Sequence, residues 1–222
     1  MPPLSPYGIL QTDWSVCKFM TTISDETRSR ILDAAADVFA DKGYHDARMD
    51  EIVAISHTSK GAVYHHFPSK NYIFFALIDK FTKLLEERLR AAIEKEEHGL
   101  DRVDAALRIC MQTFGQHRAL AKIALVQAVG LGETFETKRS EINDRFAGII
   151  QKYLDQAISD GSVPVIDTEV VARAWMGALN EVVLRWVYTG SPDPERATPA
   201  LRTLLLRSIG ISEERIAELD ED

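Results

Sequence analysis

The chain has 222 residues, 34 acidic against 26 basic side chains and a formal charge of −8, with 45% hydrophobic and 27% charged residues. These are ordinary globular proportions for one large domain or two smaller ones, which excludes wholesale disorder. Cys17 and Cys110 stand far apart with no CxxC or CxxH spacing, so neither a disulfide framework nor a structural zinc site is expected, and a reducing, cytoplasmic setting fits. The most apolar stretch, 170–187, carries Arg173, Asn180, Glu181 and Arg185, too polar for a membrane span.

Residues 1–21 show no sustained period and no secretory pattern, and read as a flexible leader; Met20 offers a second translation start. From Asp25 the pattern is helical. Ile31, Ala34, Ala35, Val38 and Phe39 follow the i, i+3, i+4, i+7, i+8 template, with Gly43 at the expected helix end. A short helix over 48–55, a four-residue turn 56–59 and a second short helix ending near His66 come next. Pro68 breaks the chain, and Ser69 stands ready to cap a long helix with the stripe Phe74, Leu77, Ile78, Phe81, Leu85, Leu89. Further helices are expected over 100–116, 119–129, 133–159 and 169–188, with a last one to about Ile209 and an acidic tail over 211–222. No strand alternation and no repeat occur. The expected fold is all-α: a three-helix unit over 22–69 followed by a larger helical domain over 70–210.

Two short helices joined by a tight turn behind a longer one form a helix-turn-helix pattern. A helix entering the major groove needs a small, polar face without carboxylates. The 27 residues from Ile52 to Ile78 contain no Asp or Glu, although the chain has 34 acids, and they hold His57, Lys60, His65, His66 and Lys70. Phe39-Ala40-Asp41-Lys42-Gly43-Tyr44, Asp50-Glu51-Ile52 and Ser59-Lys60-Gly61-Ala62-Val63-Tyr64-His65-His66-Phe67-Pro68-Ser69-Lys70 resemble the signature of TetR-family transcriptional regulators, at that family's spacing.

The resemblance implies a DNA-binding domain followed by a ligand-binding and dimerisation domain. It implies phosphate contacts from Tyr64 and Lys70, and a base or phosphate contact from Lys60. Ser59, Gly61 and Ala62 would permit close groove approach, His65 and His66 would donate to phosphate, and Arg48, Met49 and Thr58 would lie along the backbone. The chain departs from the family at Ser56-His57, where Ala-Gly is usual; histidine enters positive φ less readily than glycine. His65 and His66 as a metal pair are disfavoured, since adjacent helix positions diverge by about 100°.

For the second domain the resemblance implies dimerisation through the last two long helices. Ala174, Gly177 and Ala178 offer small surfaces, Val182 and Trp186 lie beside Trp175 and Leu179 on an apolar flank, and Glu181 and Arg185 are spaced to pair. Candidate lining of an effector site is Cys110, Phe114, Leu125, Val129, Phe146, Ile150, Trp175, Met176 and Leu179, with Gln127, His117, Asn180 and Arg185 as polar anchors. The segments around Gln127–Gly132, Arg139, 180–183 and 186–187 resemble regulators that answer fatty acyl compounds. No GxSxG, Walker A, HExxH or dinucleotide motif occurs, so no enzyme activity, cofactor or metal is expected. The expected partners are an operator duplex, a small apolar effector and a second copy of the chain. A helical protein-interaction module without DNA binding is the competing reading.

Overall fold

A computed structural model describes residues 14–127 and 132–219. Ten α-helices in two bundles make up the described chain, and none is long and apolar enough to cross a membrane. The N-terminal unit is α1 (Trp14–Asp46), α2 (Met49–Ile55) and α3 (Lys60–His66); α4 (Lys70–Ile93) leads out of it. The second bundle holds α5 (Gly99–Gln116), α6 (Arg118–Lys122), a π-helical turn (Ile123–Gln127), α7 (Glu133–Ser159), α8 (Thr168–Thr189), α9 (Pro194–Ser208) and α10 (Glu213–Glu218).

The leader expected over 1–21 lies partly outside the described residues; from Trp14 onward it is helix continuous with α1. No Pro or Gly occurs between Trp14 and Gly43, so nothing stops the helix from propagating toward the N-terminus. Gly43, at φ 81°, interrupts α1 where its end was expected, and one short turn follows.

Each bundle has its own core. Ile31, Ala35, Phe39, Ile52, Val63, Phe67, Ile73 and Phe74 bury the first, with Phe39, Tyr44 and Phe74 meeting ring to ring. The second is built on Leu85, Leu107, Met111, Leu154, Trp175, Val183 and Leu206. Asp104 of α5, itself buried, accepts from Arg108 at 2.7 Å and from buried Arg202 of α9, tying those helices together. The segment read as an acidic tail contains α10: the Ser212 hydroxyl accepts from the Arg215 N–H, and Ile211 and Ile216 are buried in the core. Its acid density hid two apolar anchors and a helix cap. The helix expected over 119–129 divides into α6 and the π-helical turn; residues 128–131 lie outside the described residues.

Candidate DNA-binding face and effector cavity

The turn before α3 closes with His57 at φ 52°, the left-handed region that favours glycine. Around it the buried Ser56 hydroxyl donates to the Val53 carbonyl at 3.2 Å and meets the Thr58 hydroxyl at 2.7 Å. Ser59 then caps α3 by accepting from the Ala62 N–H at 3.1 Å. Histidine thus stands at the glycine position of the motif in the conformation that glycine favours, with hydroxyl bonds on either side of it.

Val63 and Phe67 anchor α3 in the core and leave Lys60, Gly61, Tyr64 and His65 exposed, with Thr58, Ala62 and His66 half-buried. Tyr64 is 41% exposed, open enough for its hydroxyl to reach a phosphate. The Lys60 ammonium lies 5.9 Å from the Tyr64 ring centroid and 2.9 Å from the Asp50 carboxylate. Arg48 is the exposed N-cap residue of α2, its N–H donating to Glu51 at 3.0 Å. Met49 is half-buried and packs its side chain against the core, so it belongs to the packing rather than to the outer face.

The Lys70 ammonium donates to the His45 and Ala47 carbonyls, at 3.0 Å each, and lies 4.5 Å from the Tyr44 ring centroid. Burial lowers its pKa. Of its three donors one remains for a phosphate, and the other two fasten the start of α4 to the α1–α2 loop. The Tyr44 hydroxyl adds a hydrogen bond to the Asn71 side chain. Burial and the charges of His65 and Arg28 lower the pKa of His66 below the ordinary 6.5, which leaves that imidazole less ready to carry charge at neutral pH.

In the second bundle an apolar cavity of about 100 Å³ lies between α4, α5, α7, α8 and the π-helical turn. Cys110, Phe114, Leu125, Phe146, Ile150, Trp175, Met176, Leu179 and Asn180, all named from sequence, line it together. Gln127 belongs to the π-helical turn with its side chain undescribed, and Val129 lies outside the described residues. Two expected polar anchors are elsewhere: His117 caps the end of α5, and Arg185 is exposed on α8. Sequence reasoning missed Thr82, Lys138, Asn143 and Tyr153, which with Arg139, named from sequence only in the fatty-acyl resemblance, supply most of the polar lining. Lys138 pairs with Asp79 at 3.0 Å and Arg139 with Glu136 at 2.7 Å. Burial pushes the Cys110 thiol up to about 12, so it is a protonated apolar wall rather than a nucleophile.

The family model of bacterial regulatory proteins, tetR family, matches residues 31–77, and that of the tetracyclin repressor-like C-terminal domain matches residues 96–209. The chain belongs to the tetR family. It is a DNA-binding transcriptional regulator with a helix-turn-helix domain and a helical ligand-binding domain. The HTH-type transcriptional regulator SrpR of Pseudomonas putida is 28% identical over 185 residues, 82% of this chain and 83% of that protein. The fold resembles the fatty acid degradation regulator FadR from Bacillus halodurans (TM-score 0.75, 19% identity, 84% of this chain and 97% of that one). It also resembles FadR from Bacillus subtilis in complex with stearoyl-CoA (TM-score 0.73, 21% identity, 83% and 99%).

In this tetR-family chain the cavity adjoins the DNA-binding domain. Ile78 and Phe135 line the cavity and are also buried in the helix-turn-helix core, where Phe135 packs against Phe74 at 5.7 Å and Phe75 at 6.0 Å. The π-helical turn contributes Ile123 to that core and Ala124 and Leu125 to the cavity. Two side chains on α6 extend the link. Lys122 donates to the Ala40 carbonyl of α1 at 2.5 Å. Arg118 donates to the Trp186 and Val187 carbonyls of α8 at 3.4 and 3.1 Å, its guanidinium 5.3 Å from the Trp186 ring centroid.

Of the residues expected at a dimer face, Ala174, Gly177, Glu181 and Arg185 are exposed and Ala178 and Val182 half-buried. Trp186 does not fit that expectation: only 7% exposed, it is covered by its own protomer, as are Trp175 and Leu179. Three of the four residues of the apolar flank read as needing a partner, Trp175, Leu179 and Trp186, are buried in the core of the second bundle, with the Arg118 guanidinium over Trp186. Apolar side chains that do stand out are Val170 and Tyr188 of α8 and Leu204 of α9. Glu181 and Arg185 carry no ion pair among the described residues, to each other or elsewhere.

Proposed function

We propose that the protein is a repressor that binds a palindromic operator as a homodimer in the cytoplasm and is released when an apolar or amphipathic effector, fatty-acyl-like in character, enters the cavity. The observation that carries this reading is the shared wall. Ile78 and Phe135 belong to the cavity and to the helix-turn-helix core at once, and α4 carries both sets of residues. An effector that separates α4 from α7 therefore pushes on the element whose first turn is fastened to the α1–α2 loop through Lys70. Its effect on DNA depends on binding one arrangement better than the other, a coupling typically worth about 1–3 kcal/mol.

Tyr64, Lys60, Ser59, Gly61, Ala62, His65 and the remaining donor of Lys70 are proposed as the DNA contacts, with Arg48, Thr58 and His66 at the margins. The cavity residues named from sequence are proposed as effector contacts. The apolar wall suits a hydrocarbon chain, and Lys138, Arg139 and Asn143 suit an acidic or phosphorylated head group. The stearoyl-CoA complex of the Bacillus subtilis structure supports this class. The exposed stripe of Val170, Ala174, Gly177, Glu181, Arg185 and Tyr188, with Leu204 of α9, is proposed to meet its copy across a two-fold axis.

Selection of bound fragments from a random duplex pool tests this reading. A palindrome with half-sites about one DNA turn apart or a multiple of it, lost in a Tyr64→Phe, Lys70→Ala protein, is the expected result. Enrichment of a single asymmetric half-site would refute the dimeric operator.

A further inference from the structure

The acid-free window of the DNA-binding unit opens directly after two carboxylates, Asp50 and Glu51. Glu51 has a duty in the fold: it accepts from the Arg48 N–H at 3.0 Å and pairs with Lys42 at 2.5 Å, and these bonds hold its carboxyl below the usual range. Asp50 has no such duty. Its side chain is 76% exposed, and among the described residues its ion-pair partner is Lys60 at 2.9 Å, the first residue of α3. Like Glu51, Asp50 lies in the first turn of α2, where a negative charge favours the helix dipole. That role does not need a partner on α3, yet the Asp50 carboxylate is paired with the first residue of the recognition helix, beside which a carboxylate opposes DNA phosphates.

We infer that Asp50 is a specificity-determining residue, which holds the Lys60 ammonium over the Tyr64 side of α3 and withholds it from indiscriminate phosphate contact. On arbitrary duplex, Lys60 must leave Asp50 to reach a phosphate and gains one ionic contact in exchange for another. The net counterion release from that contact is small. On a site that presents acceptors such as guanine O6 and N7 opposite the start of α3, Lys60 gains base-edge bonds that arbitrary sequence does not offer. Asp50 thus lowers non-specific affinity more than specific affinity, and it acts through Lys60.

The test measures binding of the full chain to a mixed-sequence duplex at several salt concentrations, for the wild type, Asp50→Asn, Lys60→Met and the double variant. Asp50→Asn is expected to steepen the fall of log K with log salt by about 0.9 for each recognition helix engaged, which is about 3.5-fold over a fourfold range of salt. The effect is expected to vanish in the Lys60→Met background, and preference for the selected palindrome over mixed sequence is expected to fall. Asp50→Ser, a residue also suited to a helix start, should reproduce the result with the helical signal and dimer unchanged. An unaltered slope would overturn the inference. So would an equal change in the Lys60→Met background, which would mean that Asp50 acts by its own charge alone. Failure of the wild type to bind any duplex at low salt would overturn both this inference and the DNA-binding function beneath it.

Discussion

Volume that side chains leave unpacked between apolar walls weakens a fold in proportion to its size. At about 24 cal/mol per Å³, about 100 Å³ corresponds to about 2.4 kcal/mol. Ala106 lines the cavity from α5, one turn before Cys110. Ala106→Leu places three more carbons in that space without touching the DNA-binding face. The substitution is expected to raise the unfolding free energy by about 1–2 kcal/mol, the part of that volume that three carbons can fill. For a chain of this length that is a rise of about 2–8 °C in melting temperature. It is also expected to abolish release of a bound duplex by stearoyl-CoA, because the space the chain must enter is taken. Urea melts at fixed protein concentration, with duplex binding followed with and without stearoyl-CoA, read both effects. A loss of more than about 1 kcal/mol would mean that the walls cannot accommodate added volume. Normal release by stearoyl-CoA in a stabilised variant would mean that the effector binds elsewhere.

Other expectations follow from particular residues. A Cβ on Gly99 would lie 2.4 Å from the Ala157 Cα and 2.6 Å from its N, so Gly99→Ala must separate α5 from α7; a loss of about 2–3 kcal/mol in urea melts is expected. At His57, relief of left-handed strain and the greater freedom of glycine in the unfolded chain oppose each other. His57→Gly should therefore stay within about 1 kcal/mol of the wild type, whereas the β-branched His57→Val should lose at least that much. His117 is held below the ordinary 6.5 by burial, then by the nearby charges of Arg88 and Lys80. The unfolded chain takes up that proton near pH 6.5 and the folded chain only at lower pH. Stability from this group is complete above pH 6.5 and declines as the pH falls below it; His117→Gln should flatten that decline in melts across the range. Lys122→Met removes the bond from α6 to the Ala40 carbonyl. It is expected to reduce stearoyl-CoA release of duplex several-fold while affinity for duplex in the absence of stearoyl-CoA changes little; unchanged release would exclude α6 as part of the coupling.

The helices and the DNA-binding face were largely legible because their signals are local. The stripe Ile31 to Phe39 and the break at Pro68 each speak within a few turns, and the missing carboxylates between Ile52 and Ile78 form one contiguous run of sequence. The apolar cavity residues were legible for a similar reason: Cys110 and Phe114, or Phe146 and Ile150, lie one turn apart on an inward stripe. What escaped depends on tertiary partners. Trp186 read as an exposed flank because neither α5 nor the Arg118 guanidinium is visible from the sequence of α8. Lys138 and Asn143 escaped because nothing in the sequence of α7 shows that α4 and α8 line the same cavity. The π-helical turn looked like plain helix, since one extra residue in a turn leaves no periodic mark over so short a span. The helix within the acidic tail was hidden by its own carboxylates.

The central claim is that the cavity and the DNA-binding face are two ends of one device. Titrating stearoyl-CoA into the protein bound to its selected duplex, with its binding to the protein measured in parallel, tests that claim most directly. The account predicts that affinity for the duplex weakens by about 5- to 150-fold over the same concentrations at which stearoyl-CoA occupies the cavity. Saturation of the cavity with no change in affinity for the duplex would contradict it.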